Sequence, residues 1–166
     1  MQRREFLKKS AIAGASLSIE SETEIFDRIY INQPNLLAHV LVLSTLGVSN
    51  EKIDPILHLL LVFYHCFTEN ERWQFPVVSE EELFAADNNT IAMLRFFDKE
   101  EPSDRAKYRE MSILNYPEQN VYAYMVGYLK DNGFVEEKNE VDEYCLRSIK
   151  NVFDCFCRLR KDYSPH

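Results

Sequence analysis

Apolar residues along this chain return every three or four positions rather than every second one, the spacing of one helix face. Start and stop signals agree with that period. Ser21-Glu22-Thr23-Glu24 is a capping box, in which a hydroxyl and a carboxylate satisfy early amides, and it opens a helix carrying Ile25, Phe26, Ile29 and Tyr30. Pro34 suits the first turn of the next helix, which carries Leu36, Leu37, Val40, Leu41 and Leu43 and ends near Gly47. Asp54-Pro55 repeats the start pattern before Ile56–Phe67, the most apolar run in the chain. At about twelve residues it falls short of the roughly eighteen needed to cross a bilayer, so it predicts a central buried helix.

Residues 69–78 read as a loop around Trp73 and Pro76. Ser79-Glu80-Glu81-Glu82 is a second capping box, and a helix carrying Ile91, Met93, Leu94, Phe96 and Phe97 is expected after Asn88-Asn89. Lys99 to Asp104, with Pro102, reads as a linker before a short helix over Arg105–Leu114. A further helix runs from Pro117 to about Asn132, with Gly133 as its left-handed cap, and the last runs from near Asn139 to about Lys161. No stretch alternates as a strand would. The pattern predicts an all-α fold, a compact helical bundle of about six to seven helices over residues 19–166, with residues 1–18 a separate object.

Two helix pairs can be laid on each other. Gln33–Val40 matches Glu118–Met125, each opening a helix that ends at glycine, and Phe63–Phe67 matches Val152–Phe156 in the helix that follows. A pseudo-repeat of two helix pairs would suit a bundle; two unrelated amphipathic pairs would share as much.

Composition narrows function mainly by exclusion. With 46% apolar and 28% charged residues over 166 positions, the chain has the make-up of one ordinary globular domain. Its four glycines, Gly14, Gly47, Gly127 and Gly133, lie too far apart for a phosphate-cradling loop. The net charge is −8. An acidic body repels nucleic acid and anionic lipid, and it hastens encounter with a basic protein surface.

Residues 1–18 carry the opposite sign: Arg3, Arg4, Lys8 and Lys9 against Glu5. Arg3-Arg4-Glu5-Phe6-Leu7-Lys8, followed by an Ala/Gly/Ser-rich apolar stretch, resembles the twin-arginine (Tat) export signal. The resemblance implies export of a folded protein, with Arg3 and Arg4 read by the Tat translocase and Phe6, Leu7 and Lys8 completing the motif. It implies a periplasmic or exported location if the leader is functional, and a cytoplasmic one otherwise. The same residues also read as an amphipathic N-terminal helix with Phe6, Leu7 and Ile12 inward.

Candidates for chemistry are few. His58, His65, Cys66, Cys155 and Cys157 are the residue types that hold zinc or copper. On a helix, though, His58 and His65 stand two turns apart, roughly 10 Å. Cys155 and Cys157 point about 200° apart, so no metal site is expected. Were the chain exported, Cys66 with Cys155 would be the pair to test for a disulfide. There is no Gly-x-Ser-x-Gly elbow, and the Glu80–Glu82 and Glu136, Glu137, Glu140 groups look like solvated helix starts. No catalytic residue and no cofactor are assigned.

Nine tyrosines remain, with Tyr124 and Tyr128 four apart on one helix face and Tyr122 off it. Tyrosine combines a broad apolar body with a polar tip, which suits interfaces. The expectation is a non-catalytic protein-binding module (an adaptor, inhibitor, immunity or assembly factor), with Tyr122, Tyr124, Tyr128, Glu136 and Glu137 as contact residues. Alternatives are an exported protein holding a small ligand or cofactor between its helices, and a chaperone of twin-arginine substrates.

Overall fold

Two glycines set the turns that bring the central helices together. The computed structural model describes residues 22–68, 75–99, 101, 104, 111, 114–134 and 139–163; the twin-arginine motif, Trp73, Glu136 and Glu137 lie outside them. The described residues form six α-helices and one 3-10 turn, with no strand, so the chain is an all-α bundle. The helices are α1 (Glu22–Asn32), α2 (Pro34–Leu41), α3 (Asn50–Thr68), α4 (Glu80–Lys99), α5 (Gln119–Asp131) and α6 (Glu140–Tyr163). The 3-10 turn, Val42–Leu46, continues α2.

Gly47 (φ 81°) and Gly133 (φ 77°) both adopt the left-handed conformation that a side chain would strain. Behind each, an amide reaches back over five residues: Val48 N–H to the Leu43 carbonyl at 3.2 Å, and Phe134 N–H to the Leu129 carbonyl at 3.0 Å. Val48 and Phe134 are buried. The two segments aligned in sequence therefore share the same stop, and each leads toward a central helix.

The capping box at α4 forms as the sequence predicts: the Ser79 amide donates to Glu82 Oε2 at 2.7 Å, and the Glu82 amide donates to Ser79 Oγ at 3.2 Å. At α6, Asn139 is the cap, accepting from the Asp142 amide at 2.8 Å.

Two boundaries differ from expectation. α3 begins at Asn50, four residues before Asp54, so Pro55 lies inside the helix. Burying Ile53 beside Ile56 offsets the one ladder bond that Pro55 forgoes. α4 runs unbroken through Asn88-Asn89, because both side chains are exposed and leave the backbone ladder alone. The helix expected over Arg105–Leu114 falls mostly outside the described residues.

α3 is central, with Leu59 to His65 all buried. α6 is equally central, packing on α2, α3 and α4. The helices meet through rings: Phe63 and Phe153 centroids lie 5.2 Å apart, and Phe67 stacks on Phe156 at 5.3 Å. No described helix is long and apolar enough to cross a membrane.

Candidate docking surface

Side chains at i, i+3, i+4 and i+7 form a ridge along one helix face. Two such ridges, Asn35-Ala38-His39-Val42 on α2 and its 3-10 extension and Glu80-Leu83-Phe84-Asp87 on α4, face each other across a trough of about 330 Å³. Both α2 and α4 pack on α6, and more so than on each other. The trough stays open to solvent between them. Phe84 is 69% exposed, Val42 46% and neighbouring Leu41 47%.

Both ends of the trough are tied. At one end the buried Gln33 amide grips the segment entering α4: its Nε2 donates to the Pro76 carbonyl at 2.9 Å, and its Oε1 accepts from the Val78 amide at 2.9 Å. Asn35 Nδ2 donates to the Val78 carbonyl at 2.8 Å. At the other end Arg147 of α6 clasps Asp87 with two hydrogen bonds, Nη2 at 2.7 Å and Nε at 3.2 Å. Asn151 Nδ2 donates to Asp87 at 2.9 Å and its oxygen accepts from Thr90 Oγ1 at 2.7 Å, inside the α4–α6 interface. Burial alone would raise the Asp87 carboxyl pKa, but the hydrogen bonds from Arg147 and Asn151 and the Arg147 charge hold it below the ordinary value.

His39 sits on the trough wall beside that pair. Its Nε2 is buried with no hydrogen-bond partner. Burial lowers its pKa, Arg147 adds to that, and Asp87 opposes it. His58, on α3, is lowered too, first by burial and against the pull of Glu22. Both histidines accept a proton more readily unfolded than folded. Stability is therefore expected to fall as pH drops from about 6.5 toward their folded values, and to fall again below about pH 4 as Asp87 protonates. Urea midpoints measured from pH 7 to 5 check this, and His39→Gln should flatten the slope. An unchanged slope in that variant would remove His39 from the account.

The other polar clusters are internally consumed. Tyr116 donates to Asp154, and Lys150 donates to both Tyr116 and Asp154. Arg158 pairs with Glu82 at 2.9 Å, beside a second crevice that also touches Tyr116 and Asp154. Cys66 and Cys155 form no disulfide. Burial pushes the Cys155 and Cys157 thiols up to about 12 and Cys145 to about 11, which suppresses the reactive thiolate. Among the described residues no three His, Cys, Asp or Glu side chains converge to hold a metal ion.

The tyrosines expected at a contact surface fall in different places. Tyr122 is only 8% exposed; its ring stacks on Tyr116 at 4.2 Å and lies 5.5 Å from Phe153, so it faces the core and offers no contact surface. Tyr124 and Tyr128 are half-buried, their rings 5.9 Å apart. Tyr128 also stacks on His58 at 5.0 Å. Glu136 and Glu137 lie outside the described residues. The trough is missed by the sequence reading, which assigns no role to Val42 or Phe84 and starts the helix of its second wall only after Asn88-Asn89. The available signal was Phe84 within Glu80-Glu81-Glu82-Leu83-Phe84-Ala85, a large ring next to an apolar neighbour that points about 100° away on a helix.

No family model matches the chain, and comparison with curated proteins and with solved structures finds no similar one.

Proposed function

We propose that this acidic bundle is a non-catalytic protein-binding module whose contact surface is the α2–α4 trough. The observation that carries this reading is a division of labour among side chains. Asp87, Arg147 and Asn151 are bonded to one another and to Thr90, and Tyr116, Lys150 and Asp154 form a second closed group. Phe84 and Val42 leave large apolar areas in water around one concavity. General acid–base or nucleophilic chemistry needs an activated group open to a pocket, whereas the unpartnered His39 Nε2 on the trough wall is itself closed off from solvent. Recognition needs an apolar anchor near a groove.

Photo-crosslinking in cells that produce the full chain tests the reading. Benzoylphenylalanine at position 84 is expected to give a discrete adduct, and the same group at exposed position 130 on α5 is not. Changing both Tyr124 and Tyr128 to alanine should leave the position-84 adduct in place. Loss of that adduct would return the contact to the tyrosine face, and identical products from positions 84 and 130 would refute the module reading.

A further inference from the structure

We infer that the trough receives an amphipathic helix from a partner protein, with basic side chains flanking a two-turn apolar stripe. The inference rests on the binding-module reading and names the chemistry of the occupant.

The shape argues for a helix. Each wall presents an i, i+3, i+4, i+7 ridge about 10 Å long; the α4 ridge is apolar at its middle, Leu83 and Phe84, and charged at its ends, and the α2 ridge brings Ala38 and Val42 with polar Asn35 and His39. Ridges of this kind interdigitate with the side-chain rows of another helix. Small, exposed Ala38 opposite Leu83 leaves room for an incoming leucine-sized side chain, and Phe84 stands as the anchor beside it. Docking of an extended peptide by strand addition needs a sheet edge, and the described residues contain no strand. The walls are already fixed by the Gln33 grip and the Arg147–Asp87 clasp, so the trough need not be ordered on binding.

The charge argues for a basic flank. Exposed Glu80 lines the trough and exposed Glu81 stands beside it in the first turn of α4. No Lys or Arg lines the trough: burial biases His39 toward its neutral form, and Arg147 behind the wall is committed to Asp87. The body of the chain is acidic overall, which adds long-range attraction for a basic segment.

The test titrates the full chain into two fluorescein-labelled 14-residue peptides with the same leucine stripe, one with lysines and one with glutamates on the polar face. Anisotropy is expected to show saturable one-to-one binding of the lysine peptide, at least tenfold tighter than the glutamate peptide. Phe84→Asp should weaken the lysine peptide at least tenfold, with Val42→Asp as a second variant and far-UV circular dichroism as the check on folding. The sign of this effect is decisive, because an added carboxylate would strengthen mere charge attraction. Glu80→Lys with Glu81→Lys should reduce the preference between peptides severalfold. Unsaturable binding, or equal or tighter binding by Phe84→Asp, overturns the inference. So does sedimentation of the chain as a dimer that Phe84→Asp converts to monomer, which would make a second copy the occupant. If the peptides fail while the position-84 adduct persists, the helix occupant falls and the module reading stands.

Discussion

Replacing Phe153 with alanine is expected to lower the free energy of unfolding by about 3–5 kcal/mol. The ring is fully buried and sits where α3, α5, α6 and the turn before α5 meet. It lies 5.2 Å from Phe63, 6.1 Å from Phe67, and 5.5 Å from both Tyr116 and Tyr122. Removing it takes apolar area out of the core and leaves four aromatic neighbours facing a void they cannot all close around. Domains of this kind have about 5–15 kcal/mol in total, so the variant sits near the edge of folding. Phe153→Leu keeps part of the volume and should lose about half as much. Urea denaturation followed by circular dichroism checks both. A loss below about 1 kcal/mol for the alanine variant would show that the ring is not the junction described.

Lys150 carries the second large effect. It is almost completely buried on α6, donates to Tyr116 and Asp154, and lies 4.9 Å over the Tyr116 ring. Lys150→Met keeps the stem and removes the charge. Among the described residues Asp154 is then left as a largely buried anion hydrogen-bonded to the Tyr116 hydroxyl alone, and about 3 kcal/mol should be lost. Changing Asp154 to leucine as well is expected to recover most of that loss, because a buried ion pair often breaks even against apolar residues of similar size. The double-mutant cycle measures the coupling directly. Simple addition of the two single losses would mean that the three side chains do not act together.

How much of this molecule was legible beforehand depends on the range of the interaction. Gly47, Gly133 and the Ser79–Glu82 box act within five residues, and the sequence pattern placed all three. The central run Ile56–Phe67 was legible because nearly every position is apolar. The equal importance of α6 was not. Lys150, Asn151 and Ser148 give it the polar spacing of a surface helix, and only their partners on other elements make burial affordable. Tyr122 misleads for the same reason: its stacking partner, Tyr116, precedes its helix, and Phe153 comes from α6. The trough depends on two helices standing apart on a third, a relation that period and spacing within one segment do not encode.

The three thiols on α6 have a practical consequence. Cys145, Cys155 and Cys157 are enclosed by the same contacts that hold the bundle together, whereas Cys66 is half-buried. An alkylating reagent therefore meets Cys66 first and reaches the other three only when α6 lifts away from its neighbours. The chain carries an internal clock for whole-molecule opening. In an oxidising compartment the same enclosure shields those sulfurs from mispairing for as long as the fold stays shut.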